Sequence, residues 1–130
     1  MSVAGAAFQT SGVVTMFLAG ANTYTGVTLL TNGLLQLGSN GGIPSGTGKD
    51  ILIVTNSAIF DLAGFSGSVD GLAGSGVVTN SVGTGTLTVG VANTNSAFTG
   101  PIKNAANPLN LTKTGTGSFT MRSEEHTSEL

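Results

Sequence analysis

Short apolar runs, each closed by glycine, asparagine or proline, are the feature that most restricts how this chain can fold. No window of about eleven residues carries apolar side chains at helical spacing without such an interruption. Only short strands fit between the interruptions, whereas helices do not. The sequence therefore predicts an all-β fold with little or no helix.

Several segments are predicted strands because β-branched and other apolar residues dominate them. They cover residues 13–18, 27–30, 34–37, 51–54, 58–62, 77–79, 86–89, 109–113 and 118–121. Between residues 63 and 76, short steps of strand are expected to alternate with glycine corners, with Val69, Leu72 and Val77 pointing inward. Val27, Leu29 and Leu35, or their immediate neighbours, are also expected inside.

The stretch G-A-N-T-Y-T-G joins the first two predicted strands and has the composition of a sharp turn. Its glycines and asparagine tolerate unusual backbone angles, and its threonines and tyrosine suit a pleated, half-buried surface. The residues concerned are Gly20, Asn22, Thr23, Tyr24, Thr25 and Gly26, followed by a second turn at Asn32 and Gly33. Asn-Gly between apolar runs is also a strong hairpin signal, so an antiparallel meander and a coil of parallel strands both remain open.

The series N-T-Y-T-G, strand, Asn-Gly turn and strand resembles the autotransporter-associated β-strand repeat, or passenger-associated transport repeat, of bacterial surface passengers. The likeness is strongest over residues 20–38 and 111–117. It implies a right-handed parallel β-helix, in which short strands stack as turns of a solenoid. The implied role is structural: a stalk that holds adhesive modules away from the outer membrane, with stepwise turn formation helping export.

Internal similarity supports a repetitive architecture. Residues 114–121 align with residues 11–18, and a looser echo places residues 96–100 on Thr23 to Gly26 of the turn motif. The chain is therefore expected to contain slightly more than one unit of a tandem array.

Composition limits the classes of function. Leu, Ile, Val and Phe make up enough of the chain for a modest core, and there is no Cys for a disulfide or a thiolate metal site. Up to Met121 the chain has three lysines and three aspartates, so the net charge of this part is zero. A phosphate-binding surface needs several basic residues on one face, which argues against nucleic acid as a partner.

The last nine residues differ from the rest. Residues 122–130 are highly charged and look like the translation of a sequencing adapter, so we expect residues 1–121 to form the solenoid segment and the tail to be non-native. The alternative is a charged, solvated natural tail. This matters because His126, Glu124 and Glu125 form the one sequence cluster that resembles a catalytic or metal site.

Three sequence features resemble binding or catalytic motifs, but each departs from its motif or has a structural explanation. Residues 42–50 imitate a phosphate-binding loop, but Ile43 and Asp50 replace its first glycine and its hydroxyl residue. Asp61 and Asp70 lack the tandem G-G-x-G-x-D repeats of calcium-binding β-rolls. A carbohydrate-active β-helix, acting as a polysaccharide hydrolase or lyase, is one alternative function, and Asp50 and Asp70 are the carboxylates that could stack on adjacent turns. A phage or fimbrial fibre is the other alternative.

Two further features have simpler structural interpretations. Asn110 begins an N-glycosylation sequon that is expected to be part of a strand. Tyr24 and Phe98 could offer aromatic platforms to a sugar, but packing at turns is the preferred explanation.

The sequence predicts no catalytic residue, no cofactor and no metal. We expect a non-enzymatic passenger segment of a secreted or surface-displayed adhesin, whose partners are neighbouring repeats and host or environmental glycans or surface proteins. Residues 1–12 lack the basic region of a signal peptide, so an export signal is expected upstream. Membrane attachment is expected only through a C-terminal β-barrel translocator that this sequence does not contain.

Overall fold

The chain forms a β-solenoid of about four turns, built from short parallel strands. The computed structural model describes residues 8–10, 15–23, 25–40, 42–44, 51–55, 57–103 and 107–121. Its strands are β1 (Phe8–Thr10), β2 (Thr15–Leu18), β3 (Thr28–Leu30), β4 (Leu34–Leu37), β5 (Leu52–Val54), β6 (Ile59–Asp61), β7 (Ser66–Val69), β8 (Leu72–Gly74), β9 (Val77–Thr79), β10 (Gly85–Val89), β11 (Ser96–Phe98), β12 (Leu109–Lys113) and β13 (Phe119–Met121). None of the described residues is helical.

The strands stack into three sheets, which are the faces of the solenoid. The first face has the order β1-β3-β5-β8-β11-β13, the second β2-β4-β6-β9, and the third β12-β10-β7. Along the chain, a strand of the first face is followed by the second face, then the third, then the first again. One such circuit is a turn of the solenoid.

All the strand pairs are parallel, which excludes the antiparallel meander in this part of the chain. Thr28 pairs with Leu52, and Leu52 pairs with Leu72, so successive turns advance by 24 and then 20 residues. The Asn32-Gly33 turn joins β3 on the first face to β4 on the second. It is a corner of the solenoid and not a hairpin. The right-handed winding that is usual for parallel crossovers stays a prediction.

The core is a set of apolar columns running along the solenoid axis. On the second face Leu35, Phe60 and Val78 lie in register, and each is fully buried. Alternate residues face inward, as in β4, where Leu35 and Leu37 are buried between half-buried neighbours. Because each inward residue contacts its equivalents in the turns above and below, the turns stabilise one another.

Glycine is required where the backbones of successive turns pass closest. Gly74 has a φ of 107°, and a side chain there would collide with the carbonyl of Val54 in the preceding turn. Gly76 and Gly100 follow at the same corner in successive turns, and a Cβ on Gly100 would overlap the carbonyl of Gly76. These close approaches explain the glycine-rich corners of the sequence.

Most predicted strands are confirmed to within two residues in their described parts, and the bounds of β4, β9 and β12 match the prediction. Residues 13 and 14 lie outside the described residues. In β3 the buried residues are Thr28 and Leu30, so the inward positions are the neighbours of Val27 and Leu29, whereas Leu35 is inside as expected. Val69 and Leu72 are buried as predicted, whereas the prediction for Val77 is wrong, because the inward residue of β9 is its neighbour Val78. Strands β1 and β11 were not predicted.

The internal alignments do not follow the structural register. Residues 15–18 form β2 on the second face, whereas the matching residues 118–121 include β13 on the first face. The looser similarity between residues 96–100 and the turn motif is also not structural, because residues 96–98 form a strand on the first face. Similar short apolar patterns therefore recur on different faces. The proposed division at residue 121 stays a prediction, since residues 122–130 lie outside the described part of the chain.

Candidate functional site

The turn motif of residues 20–26 occupies the third side of the first turn. It leaves the second face after β2 and reaches the first face at β3, the route that β7 and β10 take in later turns. Its described residues are not in a strand. Gly20 has a φ of 84°, which supports the predicted sharp corner, while Tyr24 lies outside the described residues.

Asn22 links this motif to the next turn. Its side chain is 8% exposed, and its Nδ2 donates to the carbonyl of Ala19 at 3.2 Å and to that of Gly42 at 2.8 Å. Thr23 is exposed, and Thr25 and Gly26 are half-buried. The motif therefore contributes a buried amide that joins two turns.

The Asn32-Gly33 corner, the second turn predicted from the sequence, is held by local hydrogen bonds. Asn32 Oδ1 accepts from the N–H of Gly33 at 2.9 Å, and Gly33 has a φ of 82°. The carbonyl of Gly33 accepts from the N–H of Ile59 in the following turn. Asn32 and Gly33 thus shape the corner between the first and second faces.

A second buried asparagine spans three turns. Asn80 is fully buried, and its Oδ1 accepts from the N–H of Gly64 in the preceding turn at 2.8 Å. Its Nδ2 donates to the carbonyl of Gly83 at 2.9 Å and to that of Pro108 in the following turn at 2.7 Å. An amide can bond upward and downward because it carries both a donor and an acceptor.

Asp61 is the most strongly hydrogen-bonded charged group of the described residues. Its Oδ1 accepts from the N–H groups of Ala63 and Ser81, both at 2.9 Å. Its Oδ2 accepts from Gln36 Nε2 at 2.7 Å and from the Ser81 hydroxyl at 2.5 Å. Burial by itself raises the pKa of this carboxyl, but the hydrogen bonds from Ser81, Gln36 and Ala63 together outweigh burial and lower it.

Asp70 plays a similar part at the corner between the third and first faces. It is 5% exposed, and its carboxylate accepts from the N–H of Ala92 at 3.0 Å and from the Thr94 hydroxyl at 2.5 Å. Asp61 ends a strand of the second face, whereas Asp70 follows a strand of the third. Both carboxylates therefore bind the chain's own backbone and hydroxyl groups in successive turns.

The other predicted chemical candidates are mostly outside the structure's described part. Asp50, the carboxylate that could stack with Asp70 on an adjacent turn, lies outside the described residues. So do Glu124, Glu125 and His126. Within the described residues, no group of three or more His, Cys, Asp or Glu is placed to hold a metal ion. The described chain also contains no helix long and apolar enough to cross a membrane.

Phe98 and Asn110 are both strand residues, which was predicted for Asn110 but not for Phe98. Phe98 is fully buried in β11, which removes it as an aromatic platform, although it lies in a strand and not in a turn. Asn110 lies on the exposed side of β12, as expected of a strand residue in the sequon.

Sequence reasoning missed the corner residues Asp61, Asp70 and Asn80 as links between turns. The available signal was their position, because each directly follows or ends an apolar run and precedes a glycine within three residues. Asn and Asp commonly bond backbone groups at such places. Which turn supplies the hydrogen-bond partner depends on how the turns stack, and the local sequence does not encode how many residues separate the two partners.

The last described turn ends in a partly apolar cavity. It has a volume of about 460 Å³ and is lined by Leu111, Lys113, Phe119 and Met121. Leu111, Phe119 and Met121 are partly buried against the core, whereas Leu87 and Phe98 in the preceding turn are fully buried. The cavity therefore lies beside β12 and β13, the last two described strands.

Comparison with known proteins confirms the resemblance drawn from the turn motif. Residues 11–37 match the family model described as Passenger-associated-transport-repeat, and this span includes β2, the motif, β3 and β4. A curated relative, the adhesin BmaC autotransporter of Brucella suis biovar 1 (strain 1330), is 38% identical over 114 residues. The match covers 85% of this chain but only 3% of the relative. No solved structure gives a significant match.

Proposed function

We propose that this chain is a structural segment of the passenger of a secreted or surface-displayed, autotransporter-like adhesin. The supporting observation is that the passenger-repeat match falls on a solenoid whose buried polar groups are bonded between turns. Such a segment acts as a stalk that sets the distance between the outer membrane and adhesive modules. Contacts with host or environmental glycans or surface proteins, and anchoring through a barrel translocator, are proposed for the full protein.

The hydrogen bonds between consecutive turns support a proposed role in export. Each new turn bonds to the turn before it, as Ser81 does to Asp61 and Pro108 to Asn80. A chain that emerges gradually can fold by adding turns without rearranging earlier ones. We propose that this stepwise folding helps to draw the passenger outward.

A non-enzymatic role belongs to the same proposal. Asp61 and Asp70 use their carboxylate oxygens to bond the chain's own corner groups, so neither is poised as a general acid or base in a groove. The corresponding test is incubation of the full chain with neutral and acidic polysaccharides. Release of new reducing or unsaturated ends would contradict this part of the proposal.

Surface display provides the main test. The full chain would be inserted between a signal peptide and an outer-membrane translocator, and its exposure on intact cells measured by antibody binding and protease access. We expect efficient display of the native sequence and reduced display of Asn80→Ala, because that change removes bonds to two neighbouring turns.

Thr88→Ala is the matched control. Thr88 lies on the half-buried outer side of β10. Thr88→Ala therefore removes one hydroxyl group without affecting the hydrogen bonds at the corners. We expect its display to equal that of the native chain. Display of Asn80→Ala at the native level would contradict the link between turn stacking and export, and failure of the native sequence to reach the surface would contradict the passenger assignment.

A further inference from the structure

We infer that the outer surface of the second face binds a second copy of this chain that runs in the opposite direction. The surface consists of the outward column Leu34, Ile59 and Val77, flanked by Phe17 and Lys103. The proposed function does not use this surface. Because self-association is measured in solution, its absence would leave the display experiment unaffected.

The outer side of the second face carries an apolar column. Leu34, Ile59 and Val77 are in register on β4, β6 and β9. Each precedes a fully buried residue of its strand, so its side chain points away from the core. Ile59 is 37% exposed, and the other two are half-buried. Strands that are apolar on both sides are typical of sheets that are covered on both sides.

The third face of the same solenoid has the opposite outer composition. All its outward positions carry hydroxyl or amide groups, namely Ser66, Ser68, Thr86, Thr88, Asn110 and Thr112. Such groups form hydrogen bonds with water, whereas the aliphatic column of the second face does not. The contrast indicates that the third face meets solvent and that the second face meets another apolar surface.

A neighbouring outward column identifies the occupant as a second copy. It contains Phe17 and Asp61, which lie on β2 and β6, and Lys103, which follows the bridge between Val78 and Ile102. Phe17 is therefore two strands before Asp61, and Lys103 is two strands after it. Phe17 is 67% exposed, and Lys103 is also exposed. About 19 Å separates them at the usual strand spacing, so they do not contact each other within one copy.

A second copy running in the opposite direction brings these groups together. A two-fold axis along β6 places Ile59 opposite Ile59 of the second copy and Leu34 opposite its Val77. The same rotation places Phe17 opposite Lys103 of the second copy, and an ammonium group over an aromatic ring is attractive. A copy running in the same direction would not bring these two residues together. The surface is therefore complementary to itself only in the opposed arrangement.

The charge distribution at the centre of the surface allows this contact. Asp61, on the strand at the symmetry axis, is 3% exposed. Both of its carboxylate oxygens accept hydrogen bonds from groups of their own chain. Gln36 and Thr79, its neighbours in the column, are neutral. No exposed carboxylates therefore meet at the axis, so like-charge repulsion does not oppose the contact.

The experiment measures self-association of the full chain by sedimentation equilibrium at concentrations from about 1 μM to about 1 mM. We expect the native chain to form a dimer. Ile59→Lys should weaken dimerisation at least about 100-fold, because it removes an apolar contact and places two cations opposite each other at the axis. Ile53→Lys is the matched control, because Ile53 is an outward, half-buried isoleucine of the first face. Its dimerisation should stay within about twofold of the native value.

Mixtures of charge variants make the result independent of losses in folding. Neither Ile59→Lys nor Ile59→Glu should dimerise alone, but a mixture of the two should form a heterodimer, because residue 59 faces itself. The same approach tests the direction of the second copy. Leu34→Lys should pair with Val77→Glu in preference to Leu34→Glu. Sedimentation with a fluorescent label on one variant detects each heterodimer.

Four results would overturn the inference. The first is a native chain that stays monomeric at about 1 mM. The second is an equal loss of dimerisation in Ile59→Lys and Ile53→Lys. The third is the absence of a heterodimer in the mixture of Ile59→Lys and Ile59→Glu. The fourth is pairing of Leu34→Lys with Leu34→Glu in preference to Val77→Glu, which would mean that the two copies run in the same direction.

Discussion

The early and late turns of this solenoid build their third side in different ways. In the first turn, the described residues between 20 and 26 cross this side without a strand, within the span that matches the passenger repeat. In the later turns, β7, β10 and β12 cross the same side as a parallel sheet. The same column of core residues serves both regions, since Met16, Leu35 and Phe60 are in register on the second face.

In both regions a buried amide joins successive turns, whether or not the third side carries a strand. Asn22 makes the link in the motif region, and Asn80 makes it in the stranded region. The two asparagines occupy different positions along the corner, yet each donates from Nδ2 to a carbonyl of the following turn. Substitutions in the core, at the buried amides and at the corner glycines would measure how strongly the stability of each region depends on them.

The largest expected effect is on the shared core column. Phe60→Ala should reduce the free energy of unfolding by about 3–5 kcal/mol, because it removes a fully buried aromatic ring between Leu35 and Val78. Met16→Ala, in the same column but 36% exposed, should cost about 1 kcal/mol. Urea unfolding followed by circular dichroism measures both. Equal losses would show that the early turn is as tightly packed as the later ones.

The next effect compares the two buried amides. Asn80→Ala should cost about 3 kcal/mol, because it leaves the N–H of Gly64 and the carbonyl of Gly83 without this partner. It also removes one of the two hydrogen bonds to the carbonyl of Pro108, which keeps the one from the N–H of Gly85. Asn22→Ala should cost about 1–2 kcal/mol, since its corner is next to the exposed residues Gly20 and Ala21. The same unfolding measurement applies. A greater loss for Asn22→Ala would indicate that the motif region is the more dependent on its amide.

Much of the fold follows from the sequence. Short apolar runs between glycine corners predicted the all-β class, and the resemblance at residues 20–38 implied parallel stacking, which the ladders from β3 through β5 to β8 confirm. The bounds of β4, β9 and β12 were also predictable, because β-branched residues or leucines fill them between turn residues. Local composition is enough for these elements.

The remaining features depend on contacts between turns. The register of β3 differs by one residue from the simplest expectation, because Thr28 and Leu30 align with the inward residues Leu52 and Val54. The alignment of residues 11–18 with 114–121 failed because similar short apolar patterns occur on different faces, with β2 on the second face and β13 on the first. The partners of Asp61 and Asn80 lie 16 to 28 residues away, so their roles appear only once the turns are stacked.

A smaller effect separates the glycines of the corner between the second and third faces. Gly20 and Gly64 have φ values of 84° and 85°, so alanine at either position is strained. A Cβ on Gly20 meets no atom within 4 Å, whereas one on Gly64 would lie 2.9 Å from the carbonyl oxygen of Val82. We expect Gly20→Ala to cost about 1 kcal/mol and Gly64→Ala about 2 kcal/mol in unfolding free energy. Equal losses would mean that the backbone of the later corner yields to relieve the contact.

The smallest expected effect is the pH dependence contributed by Asp61 in the stranded region. The pKa of its carboxyl is lower in the folded chain than the ordinary value of 3.8, because its hydrogen bonds from Ser81, Gln36 and Ala63 outweigh the opposing effect of burial. Between the two pKa values the unfolded chain binds more protons than the folded chain. The contribution of Asp61 to stability is therefore fully present above the unfolded pKa of about 4, and it is lost as the pH falls from there through the folded pKa. Unfolding midpoints measured from pH 6 down to pH 2 should decline less steeply for Asp61→Asn than for the native chain. An Asp61→Asn profile as steep as the native one would place the acid-sensitive group elsewhere, and would weaken the interpretation that this corner depends on an ionised carboxylate.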